Sequence, residues 1–123
     1  MKTTVKNKHK IVLQNKSRSK TIPSRNAFQR WIDSALAQFK MDSEITIRIV
    51  DTAESAKLNK TYRDKTGATN ILSFPFEAPP DLKLPLLGAL VICAPLISKE
   101  AKEQNKLLLA HWAHITIHGA LHL

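Results

Sequence analysis

Cysteine is nearly absent: Cys93 is the one thiol in the chain. It excludes an intrachain disulfide and a cysteine-based zinc cluster, and it fits a reducing compartment, with the cytoplasm as the default expectation. Long apolar runs are missing as well. Ile11-Val12-Leu13 is closed in by Lys10 and Lys16, so the N-terminus predicts neither a signal peptide nor a membrane span. Its Lys-rich, apolar-poor character argues against an organellar presequence. Acidic residues are absent from the first stretch: Lys2, Lys6, Lys8, Lys10, Lys16, Arg18, Lys20, Arg25 and Arg30 all precede Asp33. Internal repeats, low-complexity tracts and coiled-coil heptads are not found.

What is present is one domain's worth of chain. At 123 residues and 43% apolar content, a single core can be filled. The expected division is a basic arm with the first strand over 1–20, followed by one domain over 21–123. The formal net charge of +9 attracts polyanions at long range, and phosphate backbones are the commonest polyanion a basic soluble domain meets. RNA or DNA is the expected partner class, although a solvated arm explains the first residues equally well.

Hydrophobic periodicity predicts the elements. Lys10 to Gln14 suits a short strand. Ser24 then stands as a helix N-cap before an apolar stripe of Phe28, Trp31, Ile32, Ala35, Leu36 and Phe39. Glu44 to Val50 alternates as a half-buried strand. Asp51 with Glu54 has the spacing of a capping box for a helix through Tyr62. Arg63 to Thr69 is a polar loop, and Asn70 to Phe76 with Pro75 is an edge strand. Pro79, Pro80 and Pro85 bracket a loop before a buried strand from Leu86 to Cys93. Helices follow from Pro95 and from about Leu107. The order β-α-β-α-β-β-α-α predicts an α+β domain, a mixed sheet covered by helices.

The last helix carries the chemistry. His118 and His122, four residues apart, share one helical face and can reach one zinc ion together. Catalytic zinc takes three protein ligands and leaves the fourth position to water or substrate, and the sequence ends before a third appears. His111 and His114 lie on roughly the same face. His114 stands about 12 Å from His122 along a straight helix, too far for His114, His118 and His122 to share an ion. Ordinary surface or buried, hydrogen-bonded histidines are the expectation for His111 and His114.

Three segments carry a resemblance. Thr69-Asn70-Ile71-Leu72-Ser73-Phe74-Pro75-Phe76-Glu77, then Leu87-Gly88 before Val91-Ile92-Cys93, then His118-Gly119-Ala120-Leu121-His122-Leu123 closely resemble the YbeY family of bacterial zinc-dependent endoribonucleases. The similarity runs from about Trp31 to the last residue. It implies a metalloprotease-like zinc helix, one Zn2+ per chain, and a single-strand-specific endoribonuclease. It further implies 16S rRNA 3' end maturation and ribosome quality control as the role, with ribosomal RNA and the ribosome or its proteins as partners and no membrane.

In the family motif H-G-x-L-H-L-x-G-Y-D-H the histidines are the ligands. His118 and His122 match the first two, and the third falls beyond the chain end, so the 21–123 domain reads as C-terminally incomplete. Leu123 closes an apolar helix without a Gly or Asn cap, which predicts a frayed final turn. Arg63 matches the family's arginine near the metal and would pair with the scissile phosphate. Asn70, Phe74 and Phe76 would form an RNA-facing edge, Phe74 and Phe76 equally suiting the core. Ala89 departs from the pattern, standing where the family has Asp. With one ligand and this carboxylate missing, an inactive RNA- or ribosome-binding remnant is the alternative. A zinc metallopeptidase is weaker, because Gly119 occupies the general-base position of H-E-x-x-H.

Overall fold

The computed structural model describes residues 9–38, 42–76 and 86–123. Within them the elements follow in the expected order: β1 (His9–Asn15), α1 (Arg25–Ala35), β2 (Ser43–Val50), α2 (Thr52–Arg63), β3 (Ile71–Pro75), β4 (Leu86–Cys93), α3 (Ala94–Glu103) and α4 (Leu108–Leu121). Residues 1–8 of the basic arm, Phe39 of the α1 stripe, and Pro79, Pro80 and Pro85 lie outside the described residues.

The strands form one mixed sheet in the order β1-β2-β4-β3. β1, β2 and β4 run parallel, and β3 pairs antiparallel to β4 at the edge. Pro75 is the last residue of that edge strand, where the missing N–H costs no ladder bond. The other edge is partly covered by side chains of α1: Gln29 Nε2 donates to His9 O at 2.7 Å, and Arg25 Nη2 to Ile11 O at 2.5 Å. Carbonyls that would invite another strand are thereby occupied.

Strand alternation sends two sets of side chains to opposite faces. Ile11, Ile45, Ile47, Ile49, Leu90 and Ile92 face α1 and α4, where Phe28, Ile32, Trp112, Ile115 and Ala120 complete the main core. Phe28 packs edge-on against Trp112 at 6.0 Å. Each fully buried Ile or Leu contributes roughly 1.5–3 kcal/mol of transfer free energy, so this layer dominates stability. On the opposite face Leu72, Val91 and Cys93 meet Leu58 of α2, with Phe74 packed beside them. Burial pushes the Cys93 thiol up from its ordinary value, keeping it neutral at physiological pH.

Two local expectations need correction. Ser24 caps α1 as predicted, its Oγ accepting from Ala27 N at 3.1 Å, but Asp51 makes no side-chain cap on α2. Its carboxylate accepts instead from the Arg18 backbone N–H, at 3.2 and 3.3 Å, while Glu54 takes the Arg48 guanidinium at 2.6 Å. A tertiary donor at each carboxylate wins over the local box. The frayed end expected of α4 is likewise closed, by His122 N–H to Gly119 O and Leu123 N–H to Ala120 O, both 3.1 Å. Leu123 also packs on the main core.

Candidate metal centre

α4 buries Trp112, Ile115, Thr116, Gly119 and Ala120 and leaves His118 and His122 exposed. Helical spacing brings the two rings to 4.5 Å between centroids with planes 72° apart. Their Nε2 atoms stand 3.1 Å apart. Two nitrogens on one tetrahedral zinc, each about 2.0–2.1 Å from the ion, are about 3.3 Å apart, so the pair matches one edge of such a shell. Imidazole nitrogen is a preferred zinc donor. The donors present fit zinc as two ligands of a site. Among the described residues no group of three His, Cys, Asp or Glu side chains converges to hold an ion.

The helix is held to the sheet at the glycine between these two histidines. A Cβ on Gly119 would lie 2.3 Å from Ile71 Cδ1 and 3.3 Å from Leu90 Cδ2, so α4 rests directly on β3 and β4. Ser73 Oγ donates to Gly119 O at 3.0 Å. The backbone beside His118 is thereby tied to the edge strand. Gly88 is packed more tightly still, since its Cβ would meet Phe74 O at 2.3 Å, a backbone atom that cannot turn aside.

The same serine reaches Arg63. At the last turn of α2, Arg63 Nη2 donates to Ser73 O at 2.8 Å and Nη1 to Tyr62 O at 3.2 Å. Its guanidinium carbon stands 5.3 Å from the Phe74 ring centroid, in cation–π range. The next residue, Asp64, takes the left-handed conformation that ends the helix, φ 53°. Two hydrogen bonds through Ser73 therefore link Arg63, from α2, to the residue beside His118, on α4. Arg63 is exposed, and three of its five N–H groups are unused by these bonds.

The family model for endoribonuclease YbeY matches residues 12–123. This chain belongs to the YbeY endoribonuclease family. Among solved structures, the solution structure of TM1509 from Thermotoga maritima is similar with a TM-score of 0.60 and 20% sequence identity, over 91% of this chain and 71% of that one. That likeness concerns the fold. It agrees with the mixed four-stranded sheet and its helices.

The remaining candidate residues of this YbeY-family chain are placed unequally. Asn70 is half-buried and donates through Nδ2 to Glu100, at 3.1 and 3.3 Å. Glu100 also receives the buried His111 Nε2–H at 2.9 Å. Asn70 thus joins a polar link between α3 and α4 and is not brought to the His118–His122 pair. His114 is exposed, its ring stacked between those of His111 and His118 at 6.3 and 6.4 Å. Neither His111 nor His114 joins the pair. Phe74 is half-buried beneath Arg63, and Phe76 is 49% exposed.

Sequence reasoning missed Ser73 and Glu100. Ser73 had a signal, being the one polar side chain of β3. Glu100 had none: it pairs with Asn70 across 30 residues, a separation that no local period reports.

Proposed function

We propose that this chain acts as a metal-dependent, single-strand-specific endoribonuclease in ribosomal RNA processing, with 16S 3' end maturation and ribosome quality control as its role. Ribosomal RNA is the substrate, the ribosome or its proteins are the partners, and the cytoplasm is the compartment. No helix among the described residues is long and apolar enough to cross a membrane. The domain boundaries proposed are 1–20 for the basic arm with the first strand and 21–123 for the endoribonuclease domain.

One observation carries the reading: the facing Nε2 atoms of His118 and His122 are tied through Ser73 to the Arg63 guanidinium. His118 and His122 would hold zinc as two of its ligands, and a zinc ion held there would supply an activated water at neutral pH. Arg63 binds the scissile phosphate, with its free N–H groups matching the charge that builds up on the phosphate oxygens. The Ser73 carbonyl and the Phe74 ring orient that guanidinium. Phe74 and Phe76 lie at the end of β3 that approaches the substrate, while the Asn70 amide is held by Glu100.

A second reading, an RNA- or ribosome-binding protein without turnover, draws on the absence of a three-donor group among the described residues. Peptidase chemistry loses ground, because Gly119 faces Ile71 and Leu90 at contact distance and leaves no room there for a general base.

Zinc stoichiometry after chelation and reloading, beside His118→Ala, separates the first two readings. About one zinc per chain, lost in the variant, together with RNA cleavage that EDTA abolishes, supports the endoribonuclease. RNA binding without retained zinc supports the binding protein.

A further inference from the structure

On the sheet face away from α1 and α4, a groove of about 360 Å³ opens between α2 and the β3 edge. Ala89 and Val91 of β4 form its floor, while Tyr62, Phe74 and Phe76 supply aromatic walls. Tyr62 is 59% and Phe76 49% exposed, so large apolar surface faces water here. Tyr62 meets Phe74 edge-on at 5.3 Å, so the aromatic surface open to a ligand is that of the exposed Tyr62 and Phe76. The polar end is made by Arg48 and Glu54, paired at 2.6 Å and both only half-buried.

The position of this groove matters as much as its lining. Arg63 lies over the Phe74 ring that forms one wall, and it has no carboxylate partner among the described ion pairs. A cation that seeks an anion therefore stands at the rim of an aromatic, apolar slot. An unpaired nucleotide has those two parts in that order: a phosphate, and beside it a planar base that stacks on aromatic side chains. The Arg48–Glu54 pair adds both a donor and an acceptor for a base edge.

We infer that this groove holds one unpaired base of single-stranded RNA, adjacent to the phosphate engaged by Arg63. This rests on the proposed role of Arg63 and extends it to a neighbouring base. Ala89 is central, because its small side chain leaves the floor apolar and open. Stacking dominates the contact, so the site accepts any of the four bases.

The test uses full-length protein freed of metal with EDTA, so that binding is read without cleavage. The probe is a short single-stranded oligoribonucleotide with one 2-aminopurine, compared with the same strand made abasic at that position. Fluorescence titration gives affinity and base stacking together. Wild-type protein is expected to quench the probe and to bind the abasic strand about tenfold more weakly. Ala89→Leu, which fills the floor, and Tyr62→Ala, which removes a wall, are each expected to weaken the intact strand about tenfold and to erase its advantage over the abasic one.

Thermal melts establish that each variant is folded. If Ala89→Leu does not fold, the exposed Tyr62→Ala carries the comparison alone. Unchanged affinity and unchanged abasic discrimination in the folded variants, with binding lost in Arg63→Ala, would overturn the base site and leave the role of Arg63 standing. Failure of wild-type protein to bind the strand at all would overturn both.

Discussion

The two ends of α4 carry the same residue type to opposite ends. Near its start, His111 is buried and donates to Glu100, which also holds Asn70. Near its finish, His118 and His122 are exposed and face each other with no carboxylate between them. A histidine committed to a carboxylate serves structure, joining α3 and β3 to α4. A pair whose Nε2 atoms face each other at 3.1 Å is the arrangement proposed for coordination. The helix supplies spacing to both, and the neighbours decide the role.

The sharpest way to break this comparison is to exchange the losses. Removing either histidine of the exposed pair, as in His118→Ala, is expected to lower zinc retention at least tenfold, read by elemental analysis, with little change in the folding midpoint. Comparable zinc loss in His111→Ala would erase the distinction between the two ends.

Gly88→Ala is expected to cost about 2–3 kcal/mol in chemical denaturation, because the new Cβ would press on Phe74 O at 2.3 Å and overpacking against fixed backbone costs this much. His111→Ala should cost about 2 kcal/mol in the same assay, through the cavity and the lost partner of Glu100. The exposed His114→Ala should stay within about 0.5 kcal/mol. Equal effects of the last two would show that burial and the Glu100 bond add nothing.

Ser73→Ala sharpens the link between the exposed pair and Arg63. Loss of the hydroxyl bond to Gly119 O is expected to cost about 1 kcal/mol while the backbone bond from Arg63 persists, and Ser73→Thr should recover part of it. A smaller effect comes from Cys93. Its folded pKa is raised by burial, so the unfolded thiol ionises first. The contribution is fully present below the ordinary thiol range near 8.5 and is lost as pH rises toward the folded value. Denaturation at pH 7 and pH 10 should show this loss in wild type and a smaller one in Cys93→Ala.

Much of the fold was legible because it is written in local period. The isoleucines at positions 45, 47 and 49 alternate, and all three are fully buried. Ser24 caps α1 by the spacing that predicted it. Pro75 marked an edge strand, and β3 is one. The capping box failed for a reason outside its own four residues: Arg18 and Arg48 reached the two carboxylates first. Of the candidate site, the facing of His118 and His122 was readable from i,i+4 spacing alone. The place of Asn70 was not, because Glu100, which holds it, comes from α3.

The sequence by itself determined the order of the elements, their buried faces and the histidine spacing on α4, since each depends on residues within a few turns or pleats of one another. Only the tertiary structure decided that Arg63 reaches α4 through Ser73, that His111 is committed to Glu100, and that Ala89 floors an aromatic groove. Those contacts join elements far apart in the chain, and sheet pairing, which no short period encodes, sets which of them meet.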